Sequence, residues 1–193
     1  MEMNGNILAN RSAKDRNQVD FYETPPLATV ALIDFLEANG SLHPGVKVWE
    51  PACGAGKLAE VLKRRGYEVI CTDLNDFGYG EPGVDFLESQ RDCDWIITNP
   101  PFSKAAEFIR HARDLNANCA FLLKSQFWHA KSRINMFRND APSYVLPLTW
   151  RPDFLYGQKS GSPTMEVIWS AWDGTVGTYY RPLEKPSEEQ WIK

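Results

Sequence analysis

The chain lacks the features that mark membrane-bound and secreted proteins. No stretch of its 193 residues approaches the roughly 20 consecutive apolar residues that a membrane-spanning helix needs. The polar segment 1–20 also lacks the apolar core of a secretory signal peptide. We therefore expect an intracellular, cytoplasmic protein that has no contact with a membrane.

The chain is also poor in cysteine and histidine. Its four cysteines and three histidines are scattered, whereas disulfide frameworks and zinc sites use these residues in closely spaced pairs. They are Cys53, Cys71, Cys93, Cys119, His43, His111 and His129. We expect neither a disulfide framework nor a metal site, and we expect each cysteine to be a small core residue.

Length and composition favour one folded domain. With 43% hydrophobic and 24% charged residues, a chain of 193 residues can bury about two-thirds of its unfolded surface. The sequence contains neither an internal repeat nor a linker between domains. We expect one domain over residues 20–183, preceded by a polar arm over 1–19 and followed by a tail over 184–193.

Helical and strand patterns alternate along this domain, which predicts an open α/β sheet with parallel strands. The predicted helices are "TPPLATVALIDFLEANG", "GKLAEVLKRRG" and "KAAEFIRHARDL". The predicted strands are "VKVWE", "YEVICTD", "DCDWIITN", "ANCAFLLK", "SYVLPL" and "TMEVIWSAW". Because ligands bind at the carboxyl ends of the strands in such a sheet, the strand ends indicate the function.

The first strand ends in "EPACGAGKLAE", a glycine-containing corner that leads into a helix. Gly54 and Gly56 permit a tight turn and a close approach of a ligand to the backbone. The corner is not a phosphate-binding P-loop, because that motif needs glycine in place of Pro51 and serine or threonine in place of Leu58. It suits either a ligand with a nucleoside-like part or an ordinary strand-to-helix connection.

Two acidic positions extend this pattern. Asp73 ends the second strand, 23 residues after Glu50, where nucleoside-binding sheets place a carboxylate that accepts from ribose hydroxyls. The stretch "DLND" would serve equally well as a turn. Further along, Asp85 can accept from an adenine amino group while Phe86 covers the ring. Following the glycine corner in this order, the residues predict a bound adenosine without a polyphosphate.

The segment "WIITNPPF", residues 95–102, joins a buried strand to a rigid polar exit. Pro101 stiffens it, and Pro100 forces Asn99 into an extended conformation. The Asn99 side chain and the Pro100 carbonyl then become neighbouring acceptors that can hold one exocyclic NH2 group. Phe102 can stack on a base that has left its duplex. The alternative is a plain asparagine-proline strand exit.

Five motifs follow one another in the chain: "DFYETPP", "EPACGAG", Asp73, the pair Asp85 and Phe86, and "NPPF". In this order they resemble those of the class I S-adenosylmethionine-dependent amino-methyltransferases. The resemblance is to the DNA adenine N6-methyltransferases with the gamma motif order, including compact phage-encoded ones, and covers most of residues 20–172. "NPPF" alone is less specific, because it also occurs in RNA and protein methyltransferases.

The resemblance implies a fold, a cofactor and a substrate. The fold is a single Rossmann-like methyltransferase domain, with a mostly parallel seven-stranded sheet, an antiparallel last strand and helices on both faces. The cofactor is S-adenosyl-L-methionine. The substrate is an adenine flipped out of double-stranded DNA, and the cell is a bacterium, with a phage as one source of the protein.

The resemblance also implies roles for individual residues. The catalytic motif is Asn99, Pro100, Pro101 and Phe102, and Thr24, Glu50, Ala52 and Gly54 surround the methionine part of the cofactor. The complete cofactor set is Tyr22, Thr24, Pro25, Glu50, Pro51, Ala52, Gly54, Gly56, Asp73, Leu74, Asp85, Phe86 and Asn99. Phe102 stacks on one face of the target base, and either Phe154 or Tyr156 covers the other.

The whole chain has a net charge of −4, which does not favour nucleic-acid binding. Only one part of the chain has a local excess of positive charge that suits a nucleic-acid partner. Residues 1–100 hold 9 Lys and Arg against 16 Asp and Glu, whereas residues 101–181 hold 10 against 6. The stretch "LLKSQFWHAKSRINMFR" mixes cations with aromatic rings, which suits phosphates and stacked bases or, alternatively, a solvated helix with a buried stripe. The predicted DNA contacts are Lys124, Lys131, Arg133, Arg138, Arg151 and Lys159.

Restriction-type relatives carry a separate target-recognition domain, for which this chain has no room. We therefore expect base contacts from loops over residues 124–138 and 149–163, and a short or relaxed target sequence. Three other functions stay open: an RNA or protein-glutamine amino-methyltransferase of the same fold, an inactive cofactor-binding module, and a nicotinamide-type oxidoreductase. The short glycine turn and the missing pyrophosphate loop disfavour the last.

Overall fold

The computed structural model describes residues 22–154 and 165–192. Within these ranges the helices are α1 Pro26–Ala38, α2 Lys57–Arg64, α3 Ala105–Asp114, α4 Ile134–Asn139 and α5 Glu188–Ile192. The strands are β1 Lys47–Glu50, β2 Glu68–Asp73, β3 Glu81–Pro82, β4 Trp95–Thr98, β5 Asn118–Lys124, β6 Tyr144–Pro147, β7 Val167–Trp172 and β8 Tyr179–Tyr180. The connections in these two ranges contain the 3₁₀ segments Phe86–Glu88, Ser125–His129 and Lys131–Arg133.

The strands form one sheet in the order β3-β2-β1-β4-β5-β7-β6-β8. Strands β1, β2, β4 and β5 pair in parallel, and β7 lies antiparallel between β5 and β6. The predicted fold class is confirmed: the sheet is mostly parallel, and β7 is the antiparallel member of the first seven strands. The two-residue strand β8 adds an eighth at the edge, in parallel with β6.

Two apolar layers cover the sheet, one on each face. In β5, Phe121 and Leu123 belong to the layer that contains the apolar side of α3, whereas Ala120 and Leu122 belong to the layer that contains α1 and α2. This alternation follows from the period of two residues in a strand. Because both faces are buried, residues 119–123 of β5 form a continuous apolar run, and each fully buried leucine contributes about 1.5–3 kcal/mol.

Helix α1 begins at proline and is buried along most of its length. Pro26 is tolerated in the first turn, where its missing N–H has no partner to lose, and Gly40 follows the helix with φ of +78°. Helix α5 lies against α1, and Gln190 Nε2 donates to Asp34 Oδ2 at 3.1 Å. Part of the expected tail, 184–193, therefore folds onto the domain.

Some of the predicted segments lie outside the residues that the structure describes. The N-terminal arm 1–19 and most of the loop 149–163 are not among the described residues. Strands β3 and β8 were not predicted, because two residues are too few to carry a periodic pattern. Within the two described ranges, no helix combines the length and the apolar character needed to cross a bilayer.

Candidate active site

A cleft opens at the carboxyl ends of β1, β2 and β4, the edge at which ligands bind in open α/β sheets. All the predicted cofactor and catalytic residues line this cleft except Pro25 and Gly56. The parallel pairing of β1 with β2 and β4 brings together three loops that are far apart in sequence. The sheet topology thus gathers the predicted motifs at one place.

Pro25 and Gly56 have local structural roles. The Pro25 carbonyl accepts from the Ala28 N–H at 2.9 Å at the start of α1. Gly56 has φ of +87°, and a Cβ there would meet the ring of Tyr79 at 2.6 Å. Glycine at this position therefore permits both the left-handed backbone and the close packing of Tyr79.

Glu50 places a buried carboxyl group at the base of the cleft. It is the last residue of β1 and only 2% exposed, and its Oε2 has no hydrogen-bond partner among the described residues. Burial raises the pKa of Glu50 well above its ordinary value, the Ala59 N–H opposes this, and the nearby Asp73 carboxylate adds to it. A buried acceptor without a partner fits a donor from a ligand.

Asp73 holds two loops together at the end of β2. Its Oδ2 accepts from the Gly54 N–H at 2.9 Å, and its Oδ1 accepts from the Asn75 N–H at 2.8 Å. Each carboxylate oxygen has two lone pairs, so both oxygens keep capacity for another donor. The turn and the ribose interpretations of Asp73 are therefore compatible.

Asp85 and Phe86 line the far wall of the cleft. Asp85 Oδ1 accepts from the Leu87 N–H at 2.9 Å and so begins the 3₁₀ segment that follows. Phe86 is only 2% exposed, and its ring packs against Trp49 and Phe108 at centroid distances of 5.0 and 4.7 Å. The Phe86 ring is therefore fixed in the core, with one side at the cleft.

Asn99 follows the last residue of β4, and the orientation of its amide is determined by a contact from outside the motif. Asn99 Nδ2 donates to the Tyr22 carbonyl at 3.0 Å. Because a carbonyl can only accept, the NH2 group must face Tyr22 and the oxygen must point the other way. That oxygen, Oδ1, is buried and has no hydrogen-bond partner among the described residues.

Three side chains meet at the mouth of the cleft. The rings of Tyr22 and Phe102 are 5.8 Å apart at an interplanar angle of 35°, and Lys124 Nζ lies 4.1 Å from the Phe102 ring centroid. Phe154 is 7% exposed, belongs to a core layer and contacts Tyr22 edge-on at 6.2 Å. In this position Phe154 presents no face to the cleft, and Tyr156 lies outside the described residues.

The sequence prediction missed two cations that line the cleft, Lys57 and Lys104. Lys57 is the first residue of α2, and Lys104 precedes the first residue of α3. Lys104 Nζ also contacts the Glu107 carboxylate at 3.4 Å. A signal was available, because each follows a strand-end loop that was already predicted to contact the ligand.

The predicted DNA contacts do not form one uniform basic surface. Lys131 and Arg138 are exposed, whereas Arg151 pairs with Glu166 at 2.7 Å. The Arg133 guanidinium lies 4.0 Å from the Phe127 ring centroid and donates to the Phe127 carbonyl at 2.9 Å, so part of its donor capacity is used within the protein. Lys159 lies outside the described residues.

The four cysteines are free thiols held in unreactive forms. Burial raises the pKa of Cys53, which lines the cleft, to about 12. Burial likewise raises the pKa of Cys71 and Cys93 to about 11 and that of Cys119 to about 12. Because the thiolate is the nucleophile, these thiols are poor candidates for covalent chemistry.

Solved structures with the same architecture identify the fold. A type I restriction-modification methyltransferase subunit from Streptococcus thermophilus matches 89% of this chain at 13% identity, with a TM-score of 0.65. A proposed class I S-adenosylmethionine-dependent methyltransferase from Listeria monocytogenes matches 88% at 14% identity, with a TM-score of 0.59. The chain has the fold of the class I S-adenosylmethionine-dependent methyltransferases. A proposed RNA methyltransferase from Pyrococcus horikoshii also matches 78% at 18% identity, with a TM-score of 0.58.

These likenesses concern the fold alone, and their extents differ. The chain covers 51% of the Streptococcus subunit, about half its length. It covers 68% of the Listeria protein and 87% of the Pyrococcus protein. Comparison with protein-family models and with curated proteins gives no match.

Proposed function

We propose that the protein is an S-adenosylmethionine-dependent DNA adenine N6-methyltransferase. The observation that carries the proposal is the buried Asn99 Oδ1, which has no hydrogen-bond partner among the described residues and lies in a cleft of the class I fold. An unsatisfied buried acceptor costs about 1–3 kcal/mol, so a structure that keeps one at a ligand-binding edge is prepared for an incoming donor. An exocyclic amino group is such a donor.

The residues of the cleft fit S-adenosylmethionine. The Glu50 carboxyl group supplies a buried acceptor for the ammonium of the methionine part, and Asp73 retains acceptor capacity for the ribose hydroxyls. Asp85 lies beside the apolar residues Val84 and Phe86, a suitable environment for an adenine ring with its amino group. When bound, the cofactor would supply a methyl group that its sulfonium centre makes electrophilic.

The chain's own contribution to the chemistry is to hold the amine. The lone pair of an adenine amino nitrogen is shared with the ring, which makes the nitrogen a weak nucleophile. When Asn99 Oδ1 and the Pro100 carbonyl each accept one of its hydrogens, the nitrogen becomes more tetrahedral and its lone pair more available. Placing the amine in line within a water-poor cleft supplies most of the remaining effect. The proton that the amino nitrogen loses after methyl transfer passes to water, and no dedicated base is required.

The choice of DNA rests on the motif order and on the surface beside the cleft. Phe102 offers a ring at the mouth, and the cations of segment 124–138 run from the last residue of β5 into α4. The similarity to a type I restriction-modification methyltransferase subunit supports the same choice. An RNA substrate is the second candidate, because Asn99 would accept any planar NH2 group and another similar structure is a proposed RNA methyltransferase.

A transfer assay with several acceptors tests the proposal. Radiolabelled S-adenosylmethionine and the full chain are incubated with duplex DNA, single-stranded RNA and denatured protein in separate reactions. We expect label in the DNA, released as N6-methyldeoxyadenosine on digestion. Label that enters only RNA or protein would contradict the DNA assignment, and absence of label from every acceptor despite cofactor binding would identify an inactive binding module.

A further inference from the structure

A smaller recess lies beside the cleft and shares the Phe102 ring with it as a common wall. Two cationic side chains, Lys124 and Arg133, line this recess together with the Gln126 amide and the Phe127 ring. No carboxylate is among the described residues that line it. Its volume is about 150 Å³, roughly ten times what one water molecule needs. The recess is therefore a cavity of positive charge next to the predicted base site.

The sheet register explains why Lys124 reaches this position. Thr98 at the end of β4 pairs with Phe121, and β5 continues to Lys124, its last residue. Strand β5 thus extends past the end of its neighbour and places Lys124 above the exit from β4. Its ammonium lies 4.1 Å from the Phe102 ring centroid and 5.8 Å from that of Tyr22. These contacts hold the charge at the border between the recess and the cleft.

Arg133, which also lines the recess, is held in place by contacts with Phe127. Its guanidinium lies 4.0 Å from the Phe127 ring centroid, and its Nη1 donates to the Phe127 carbonyl. Phe127 is itself 5% exposed, so the platform is fixed. A guanidinium carries five N–H donors, and one hydrogen bond to a carbonyl leaves others for a ligand. Arg133 is therefore a pre-positioned cation rather than a mobile surface charge.

We propose that this recess binds one backbone phosphate of the substrate strand, next to the nucleotide whose base enters the cleft. Two positioned cations at one recess match a phosphate, whose oxygens accept several charge-assisted hydrogen bonds. Because Phe102 separates the recess from the cleft, a base stacked on one side of the ring has its sugar-phosphate within reach of the other. The proposal rests on the proposed function for the identity of the base.

Binding of small nucleotides tests the recess without any measurement of methyl transfer. The full chain is saturated with S-adenosylhomocysteine, and deoxyadenosine and its 5′- and 3′-monophosphates are titrated with ligand-observed NMR, which reaches millimolar dissociation constants. We expect one monophosphate to bind about tenfold or more tightly than the nucleoside. Lys124→Met should abolish this preference, and Lys124→Arg should retain it.

A matched control and a second nucleotide separate the possible outcomes. Lys185→Met removes an exposed cation that neither lines the recess nor belongs to the predicted DNA contacts, so it should leave the preference unchanged. Equal binding of nucleoside and monophosphates by the parent chain, or a preference that survives Lys124→Met, would overturn the proposal. If deoxycytidine monophosphate binds as tightly as the adenine nucleotide, the adenine assignment fails while the phosphate recess stands.

Discussion

The Tyr22 carbonyl accepts a hydrogen bond of 3.0 Å from Asn99 Nδ2, and the two residues are 77 positions apart in the chain. This contact turns the Asn99 amide so that its oxygen is the group left without a protein partner. The segment that leads into α1 thus positions the proposed catalytic amide. This hydrogen bond links the placement of the N-terminal segment to the orientation of the Asn99 side chain.

Two substitutions at Asn99 distinguish the role of its acceptor oxygen from that of the NH2 group that donates to the Tyr22 carbonyl. Asn99→Ala removes both, and we expect kcat to fall by at least about 10²–10³, the usual loss for a polar group that acts in the transition state. Asn99→Asp keeps acceptor oxygens but places a carboxylate against the Tyr22 carbonyl. Its kcat should therefore lie between those of the parent and of Asn99→Ala. The affinity for S-adenosylhomocysteine should stay within a few-fold in both variants. Most of the parent kcat in Asn99→Ala would refute the role.

Asp73→Asn tests the ribose assignment more cleanly than Asp73→Ala does. Asp73 accepts from the Gly54 and Asn75 N–H groups as well, so alanine would also loosen both loops. The asparagine variant keeps one acceptor, and we expect S-adenosylhomocysteine to bind about 1–3 kcal/mol more weakly. Calorimetry measures this loss, and thermal unfolding reports the loops. Unchanged affinity combined with a lowered Tm would leave Asp73 as a turn residue alone.

Glu50→Gln should raise stability while it weakens cofactor binding. The folded pKa of Glu50 lies above its unfolded value, so the folded state holds an extra proton between those two pKa values. The parent therefore has this stabilising contribution at low pH and loses it as pH rises through the folded pKa. Glu50→Gln does not titrate, so its unfolding free energy should exceed that of the parent on the alkaline side of that window.

Cofactor affinity should respond to Glu50 in the opposite direction. The carboxylate is the form that binds an ammonium, so the parent should bind S-adenosylhomocysteine more tightly as pH rises through the Glu50 pKa. Glu50→Gln should lose about 1.5–3 kcal/mol of binding at neutral pH and most of this pH dependence. Chemical denaturation and calorimetry at several pH values give both quantities. A variant that is less stable and binds normally would contradict the assignment.

The salt dependence of DNA binding locates the nucleic-acid surface. Lys131 and Arg138 are exposed and do not line the recess, whereas Arg133 does, so the variant that tests the exposed surface is Lys131→Ala with Arg138→Ala. If each contacts a phosphate, the slope of log affinity against log salt should become shallower by up to about 2, with weaker binding to unrelated sequences alike. Anisotropy at several salt concentrations measures the slope.

A control for that experiment removes two exposed cations from other elements, Arg110 of α3 and Lys185 beyond β8. Their double alanine variant changes the net charge by the same amount and should keep the parent slope. Equal slopes for all three proteins would mean that Lys131 and Arg138 face solvent and do not contact DNA. If the slope becomes as shallow in the control as in the test variant, net charge alone governs binding.

The sequence predicted the elements with strong periodicity and the loops that meet at the cleft. Strand β5 contains five consecutive apolar residues, and the exit "NPPF" carries its own backbone restraints, so both could be predicted from neighbouring residues. The Tyr22 contact to Asn99 was not, because it joins distant parts of the chain. Arg133 was predicted to contact DNA, but its packing on Phe127 was not predicted, because only the folded 3₁₀ segment brings the Phe127 ring beneath it.

The most direct test of the account compares adenine methylation by the parent chain and by Asn99→Ala. Each protein is expressed in cells that lack other adenine methyltransferases, the DNA is digested to nucleosides, and N6-methyldeoxyadenosine is quantified by mass spectrometry. We expect the modified nucleoside in the parent sample and its near absence with Asn99→Ala at equal protein level and equal cofactor affinity. DNA without N6-methyldeoxyadenosine in the parent sample, or the same amount in both samples, would contradict it.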